Sequence, residues 1–97
     1  MRRIVLSRRA ERDLRRIGSG ETLTRISDAF VVLASGGANL DIKPLIGSAP
    51  WHRLRVGDYR VLYRPILPGE GMDLAADWLV ARVIHRRDLE RAVATLA

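Results

Sequence analysis

The sequence predicts an α+β domain: a small antiparallel sheet with a helical hairpin on one face and a short C-terminal helix. Three observations lead there. Two stretches of helical periodicity come early, one from Ala10 to Ile17 and one from Leu23 to Leu33. Two β-like runs then flank the pair Gly57-Asp58. A third β-like run, centred on Trp78-Leu79-Val80, precedes a last short apolar stripe. The expected order is β-α-α-β-β-β-α, in one domain spanning 1–97.

Each element has its own signal. Residues 2–6 alternate charge and apolar bulk and read as a first strand. Ser7 can cap the helix that follows, in which Ala10, Leu14 and Ile17 recur at helical spacing until Gly18. Ser19 offers a second cap, and Leu23, Ile26, Phe30 and Leu33 make one stripe ending at Gly36-Gly37. Residues 36–50, with three glycines and two prolines, read as a loop. Trp51–Val56 and Tyr59–Arg64 read as strands joined by a type II′ turn, with glycine first. A turn-rich segment follows Pro65 through Gly69 and Gly71, then a strand over 76–84. Leu89, Val93 and Leu96 mark the final helix.

Charge narrows the function. The chain carries 17 Lys and Arg against 11 Asp and Glu, a net charge of +6. Its isoelectric point is near 11.2. Lys43 is the one lysine among arginines. A small basic domain without membrane features points to a polyanionic partner, most often nucleic acid. No apolar run approaches the length of a membrane span, and the apolar stretch after Arg2-Arg3 stops too early for a signal peptide. There is no cysteine, hence no disulfide framework and no thiolate metal site. No cofactor or metal motif is visible, and a reducing, cytoplasmic setting fits.

The hairpin register carries the sharpest inference. With Gly57-Asp58 as the turn, Arg55 faces Arg60, and side chains alternate between faces. One face collects His52, Leu54, Val56, Tyr59, Val61 and Tyr63, a core face for the helices. The other collects Trp51, Arg53, Arg55, Arg60, Leu62 and Arg64. Like charges directly opposed cost some tenths of a kcal/mol, up to about 1. A solvated face that merely tolerates splayed arginine stems is the bland reading. A cationic platform for phosphates is the functional one. If Leu79, Ala81 and Val83 face the core, then Trp78, Val80, Arg82 and Ile84 join the platform, with Arg86 bordering it.

Two segments resemble the RelE/ParE toxin superfamily. Trp51-His52-Arg53-Leu54-Arg55-Val56-Gly57-Asp58-Tyr59-Arg60-Val61-Leu62-Tyr63-Arg64 looks like its central hairpin. Arg82-Val83-Ile84-His85-Arg86-Arg87-Asp88 looks like its last strand and the start of its final helix. The resemblance covers nearly the whole chain and implies a RelE-like fold. It also implies a metal-independent mRNA interferase: the ribose 2′-OH attacks the adjacent phosphate in the ribosomal A site, and a cognate antitoxin blocks the toxin. Partners would be mRNA, the ribosome and that antitoxin, with no membrane and no metal. ParE-like members share the fold but poison DNA gyrase without enzymatic chemistry, and inactive RNA-binding relatives are a third possibility. The opposed Arg55 and Arg60 and the His-Arg-Arg-Asp run favour the RelE side.

The resemblance implies roles by position. Arg60 matches an arginine that clamps the scissile phosphate, and Arg86 a second one near it. Arg53 stands where many members have a catalytic lysine, and Arg55 matches a further basic residue. Two features depart from the pattern: Trp51 replaces a frequently basic residue, and Leu89-Glu90-Arg91-Ala92 lacks a tyrosine that several members carry. The residues themselves leave the proton-transfer groups open. His85 is the natural titratable candidate, but strict alternation points it to the core side, where it would cap a backbone group. Lys43, Trp51, Arg64, Arg82 and Arg87 are expected to bind RNA, Trp51 by stacking a base, or else packing under the final helix or contacting the antitoxin. Arginines 8, 9, 12, 15 and 16 charge the first helix, either as a solvated face or as a surface for RNA phosphates.

Overall fold

The computed structural model describes residues 2–67, 70 and 77–96. Its elements run β1 (Ile4–Leu6), α1 (Arg8–Ile17), α2 (Glu21–Ala34), β2 (Asp41–Pro44), β3 (His52–Val56), β4 (Tyr59–Pro65) and β5 (Trp78–His85). A 3₁₀ turn over Arg86–Asp88 then leads into α3 (Leu89–Val93). The five strands make one sheet in the order β1-β5-β4-β3-β2. The pairings from β2 to β5 are antiparallel, and β1 lies parallel to β5 at one edge.

The α+β class holds, with one strand more than the sequence predicts. The expected 36–50 loop contains β2, which pairs with β3 from Asp41↔Arg55 to Pro44↔His52. It is short, exposed at all positions but Ile42, and ends in a proline. Those are the traits of an edge strand protected against further pairing, and they hide it from a periodicity search. The strand predicted over 76–84 begins at Trp78 among the described residues, and positions 68, 69 and 71–76 of the turn-rich region and the predicted strand start lie outside them.

Local chemistry explains the helix starts. Ser7 caps α1: its Oγ accepts from the Ala10 N–H at 3.0 Å and donates to the Ala81 carbonyl at 2.8 Å. That one hydroxyl satisfies a helix end and ties it to β5. Ser19 does not cap α2; Gly20 takes that position, with no side-chain hydrogen bond.

The hairpin register is the one the sequence predicts, from His52↔Tyr63 to Val56↔Tyr59. Gly57 adopts φ +58°, and Asp58 does not share the positive φ. A type II′ turn requires that asymmetry.

The sheet has helices on both faces. Leu54, Val61, Tyr63, Val80 and Val83 pack under Ala10, Ile26, Ala29 and Leu33 of the helical hairpin. Leu54 and Val61 are fully buried, each worth roughly 1.5–3 kcal/mol. On the opposite face, Leu62 and Ile84 pack with Ala92, Leu89 and Val93 of α3, joined by Leu45 and Leu96.

One irregularity changes the expected facing of β5. The β4–β5 register shifts between Leu62↔Arg82 and Tyr63↔Val80, leaving Ala81 without a partner. A bulge of one residue reverses the alternation beyond it. Trp78 and Val80 therefore belong to the helical-hairpin core and not to the platform, while Leu79 pairs with Arg64. Val83 and Ile84, on the other side of the bulge, keep their predicted faces.

Two buried carboxylates fasten elements together, one at the β1 edge of the sheet and one between α1 and β5. Asp77 accepts from the Arg3 N–H, Nε and Nη2 at 3.2, 3.0 and 2.6 Å, which holds its carboxyl below the usual range. Asp13 on α1 accepts from Arg82 Nε and Nη2 at 2.9 and 3.2 Å and from the Val83 N–H at 2.9 Å.

Candidate nucleic-acid interface

Strand pairing sets the face away from the helical hairpin in cross-strand rows. Asp41, Arg55, Arg60 and Ile84 form one row; Lys43, Arg53, Leu62 and Arg82 form the next. Helix α3 covers Leu62 and Ile84, so the platform divides. Its apolar part is roofed. Its cationic part, around Arg53, Arg55 and Arg60 beside the hairpin turn, stays partly open.

Arg60 is the centre of that part. Its Nη1 donates to the carbonyls of Gly57 and Tyr59, both at 3.0 Å, so the turn itself holds the guanidinium. Burial, then the positive fields of Arg55, Arg53 and Arg86, lowers its pKa below the ordinary arginine value, and Asp41 opposes the shift. Arginine stays charged regardless, so the cost is carried by the fold and the charge remains available to a phosphate. Arg86 reaches the cluster because its N–H bonds the Asp58 carbonyl at 2.7 Å, pinning the 3₁₀ turn to the hairpin turn. Its Nε lies 3.8 Å from Asp58 Oδ1, with both side chains largely exposed. Arg53 Nη1 bonds Asp41 Oδ1 at 3.2 Å. Arg55 is exposed, directly opposite Arg60. Lys43 is exposed opposite Arg53 and belongs to the same face.

Several expected site residues are engaged elsewhere. His85 is in register with Tyr59 and shares the helical-hairpin side. Its ring meets the Tyr59 ring edge-on at 5.5 Å, and its Nδ1 accepts the Arg87 N–H at 3.2 Å. The histidine therefore caps the 3₁₀ turn and does not face Arg60, which counts against a proton-transfer role. Arg82 is bound to Asp13, its side chain only 16% exposed, and leaves the basin it was expected to border. Trp51 is buried under the Arg64 guanidinium, 5.5 Å from the ring centre, and offers no open face for stacking a base. Arg64 is itself clamped: Nη1 and Nη2 each bond a Glu70 oxygen at 2.7 Å. Arg87 is exposed but lines a different cleft, of about 510 Å³ between α1, β5 and α3, with Arg9, Arg16 and Arg91. His52 stacks on Tyr63 at 5.6 Å, on the helical-hairpin side.

The Arg64–Glu70 clamp gives a pH prediction. The hydrogen bond from Arg64, then that from the Leu67 N–H, lowers the Glu70 carboxyl to about 2 from an ordinary 4.5. A folded-state pKa below the unfolded one adds stability above about pH 4.5, lost as pH falls toward 2. Glu70→Gln should lower the melting temperature at pH 7, and the gap from wild type should close between those limits. Thermal unfolding followed by tryptophan fluorescence across pH 2–7 reads it directly.

Sequence reasoning missed Asp41. It enters the platform only because β2 forms, and the stretch Asn39-Leu40-Asp41-Ile42-Lys43-Pro44 is too short for its alternation to stand out.

Comparison with known proteins decides the family. The model of "ParE toxin of type II toxin-antitoxin system, parDE" matches residues 4–90. The chain belongs to this family. It is thereby a RelE/ParE superfamily toxin, and its fold is shared by solved structures from the RelE branch. A chain of the RelB–RelE antitoxin–toxin complex from Methanococcus jannaschii aligns with TM-score 0.67 and 23% identity, over 91% of this chain and 96% of that one. The archaeal RelE–RelB complex from Pyrococcus horikoshii gives 0.66 and 18%, over 88% and 94%. The toxin–antitoxin complex RelBE2 from Mycobacterium tuberculosis gives 0.63 and 26%, over 88% and 98%. No curated protein matches the chain significantly. Among the described residues, no helix of this toxin is long and apolar enough to cross a membrane.

Proposed function

We propose that this toxin is a ribosome-dependent endoribonuclease that cuts mRNA in the A site, restrained by a cognate antitoxin and acting in the cytoplasm. The observation that carries the reading is the gathering of Arg53, Arg55 and Arg86 around Arg60, whose positive fields add to burial in lowering the Arg60 pKa. Arg55 and Arg60 stand directly opposed, an arrangement that costs stability, and Asp41 and Asp58 offset the positive charge of the four arginines only in part. Convergent guanidinium groups suit a phosphorane, whose equatorial oxygens carry the charge that develops during 2′-OH attack. In this reading Arg60 and Arg55 flank the scissile phosphate from opposite strands, and Arg86 closes the basin from the 3₁₀ turn. Lys43 and the arginines of α1 and the neighbouring cleft add sequence-independent contacts to RNA phosphates. The antitoxin proposal draws on the solved neighbours, which are toxin–antitoxin complexes.

A second reading is favoured by the family model, which is that of the ParE toxin; the resemblance to ParE-like members then implies a poison of DNA gyrase with no chemistry of its own. Primer extension on a reporter mRNA in a translating extract separates the two. New cuts confined to translated frames support the ribonuclease. Intact mRNA, with gyrase-dependent breaks in supercoiled DNA, supports the poison.

A further inference from the structure

Attack by a ribose 2′-OH needs a proton acceptor, and arginine does not serve as one. The described residues offer few alternatives near the cluster. His52 and His85, like Tyr59 and Tyr63, lie on the opposite side of the sheet. Glu70 is held by both terminal nitrogens of Arg64. Asp58 sits in the turn, beyond the end of the rows.

Asp41 differs from all of these. It is in register with Arg55, and Arg55 with Arg60, so the three side chains leave one face in one line across three strands. Strands about 4.8 Å apart put a phosphate seated between Arg55 and Arg60 roughly one and a half strand spacings, about 7 Å, from the row position of Asp41, a gap that the ribose carrying the 2′-OH can span. Arg53 Nη1 fixes that carboxylate through Oδ1 at 3.2 Å, and Oδ2 has no hydrogen-bond partner among the described residues. The Asp41 side chain is 47% exposed, so a substrate can reach it. Asp41 is also the one acid among the groups that act on Arg60.

We propose that Asp41 is the general base of the cleavage reaction, taking the proton of the attacking 2′-OH. The assignment rests on the ribonuclease reading. Asp41 Oδ2 accepts the proton while the 2′-oxygen bonds to phosphorus and the phosphorus–O5′ bond breaks. The departing 5′-oxygen keeps the electron pair and takes a proton from water. The hydroxide so formed removes the proton from Asp41. The products are a 2′,3′-cyclic phosphate and a 5′-hydroxyl, with no net change in the enzyme. Arg53 is then a positioning residue, holding one carboxylate oxygen so that the other points along the row.

The competing role for Asp41 is to anchor Arg53, and the two roles move different quantities. An anchor, once lost, weakens RNA binding. A base, once lost, slows the chemistry and leaves binding unchanged or tighter, because a negative charge has left the phosphate path. The experiment is single-turnover mRNA cleavage on programmed ribosomes, with rate and ribosome affinity measured separately. Wild type, Asp41→Asn, Asp41→Glu and the control Asp28→Asn on α2 are compared, each checked by thermal unfolding. Asp41→Asn is expected to lose about 10²–10⁴-fold in rate at undiminished affinity. Asp41→Glu should recover much of that loss, and Asp28→Asn should match wild type. Asp41→Asn cutting within tenfold of wild type, or losing activity only through affinity, overturns the assignment while the ribonuclease reading stands. A folded wild type that leaves ribosome-bound mRNA whole overturns both.

Discussion

Arg60→Ala is expected to slow mRNA cleavage by about 10²–10³-fold with almost no loss of folding stability. The first half follows from position: Arg60 is the guanidinium nearest the centre of the arginine cluster, held by the turn carbonyls of Gly57 and Tyr59. Losing a preorganised donor removes stabilisation that exists only as charge builds on the phosphate. The second half follows from electrostatics. The neighbours that act on Arg60 most are Arg55, Arg53 and Arg86, so removing it relieves repulsion across the β3–β4 pair. Activity should fall while the melting temperature holds or rises slightly. Arg60→Lys separates charge from geometry: it keeps the cation and loses the planar fork, and should recover only part of the rate. The measurement is quantitative primer extension beside calorimetric unfolding. Full cutting by Arg60→Ala would take the residue out of the mechanism.

Asp13→Ala is expected to do the reverse, lowering stability by about 3–5 kcal/mol. The carboxylate is buried between α1 and β5 and accepts three hydrogen bonds, two from Arg82 and one from the Val83 N–H. Alanine leaves a guanidinium only 16% exposed without its partner, and a buried N–H unpaired. For a chain of this size the melting temperature should drop by on the order of 15 °C or more. Arg82→Ala should cost less, because Asp13 keeps the Val83 N–H. Equal melting temperatures for wild type and Asp13→Ala would show that α1 is not fastened to β5 in this way.

How far each element could be read in advance depended on how local its cause is. The β3–β4 hairpin was legible because its turn residues and alternation lie within fourteen consecutive positions, 51–64. Once Gly57 fixes the turn, Arg55 must oppose Arg60. The capped start of α1 and the stripes of both long helices were legible for the same reason. Strand β2 was not, because four residues, all exposed but Ile42 and ending in proline, carry too little pattern. The bulge at Ala81 was not, because nothing local marks it, and its consequence moved Trp78 and Val80 to the other face.

The sequence by itself determined the fold class, the hairpin register and the cationic face around Arg53, Arg55 and Arg60, since period and turn chemistry act between near neighbours. Only the tertiary structure decided which charges stay open. Arg82 meets Asp13 across 69 residues of chain, and Trp51 lies beneath Arg64. Asp41 enters the arginine row by an edge pairing that only the assembled sheet provides. A side chain's burial and partners are set by elements distant in sequence, and the local pattern carries no record of them.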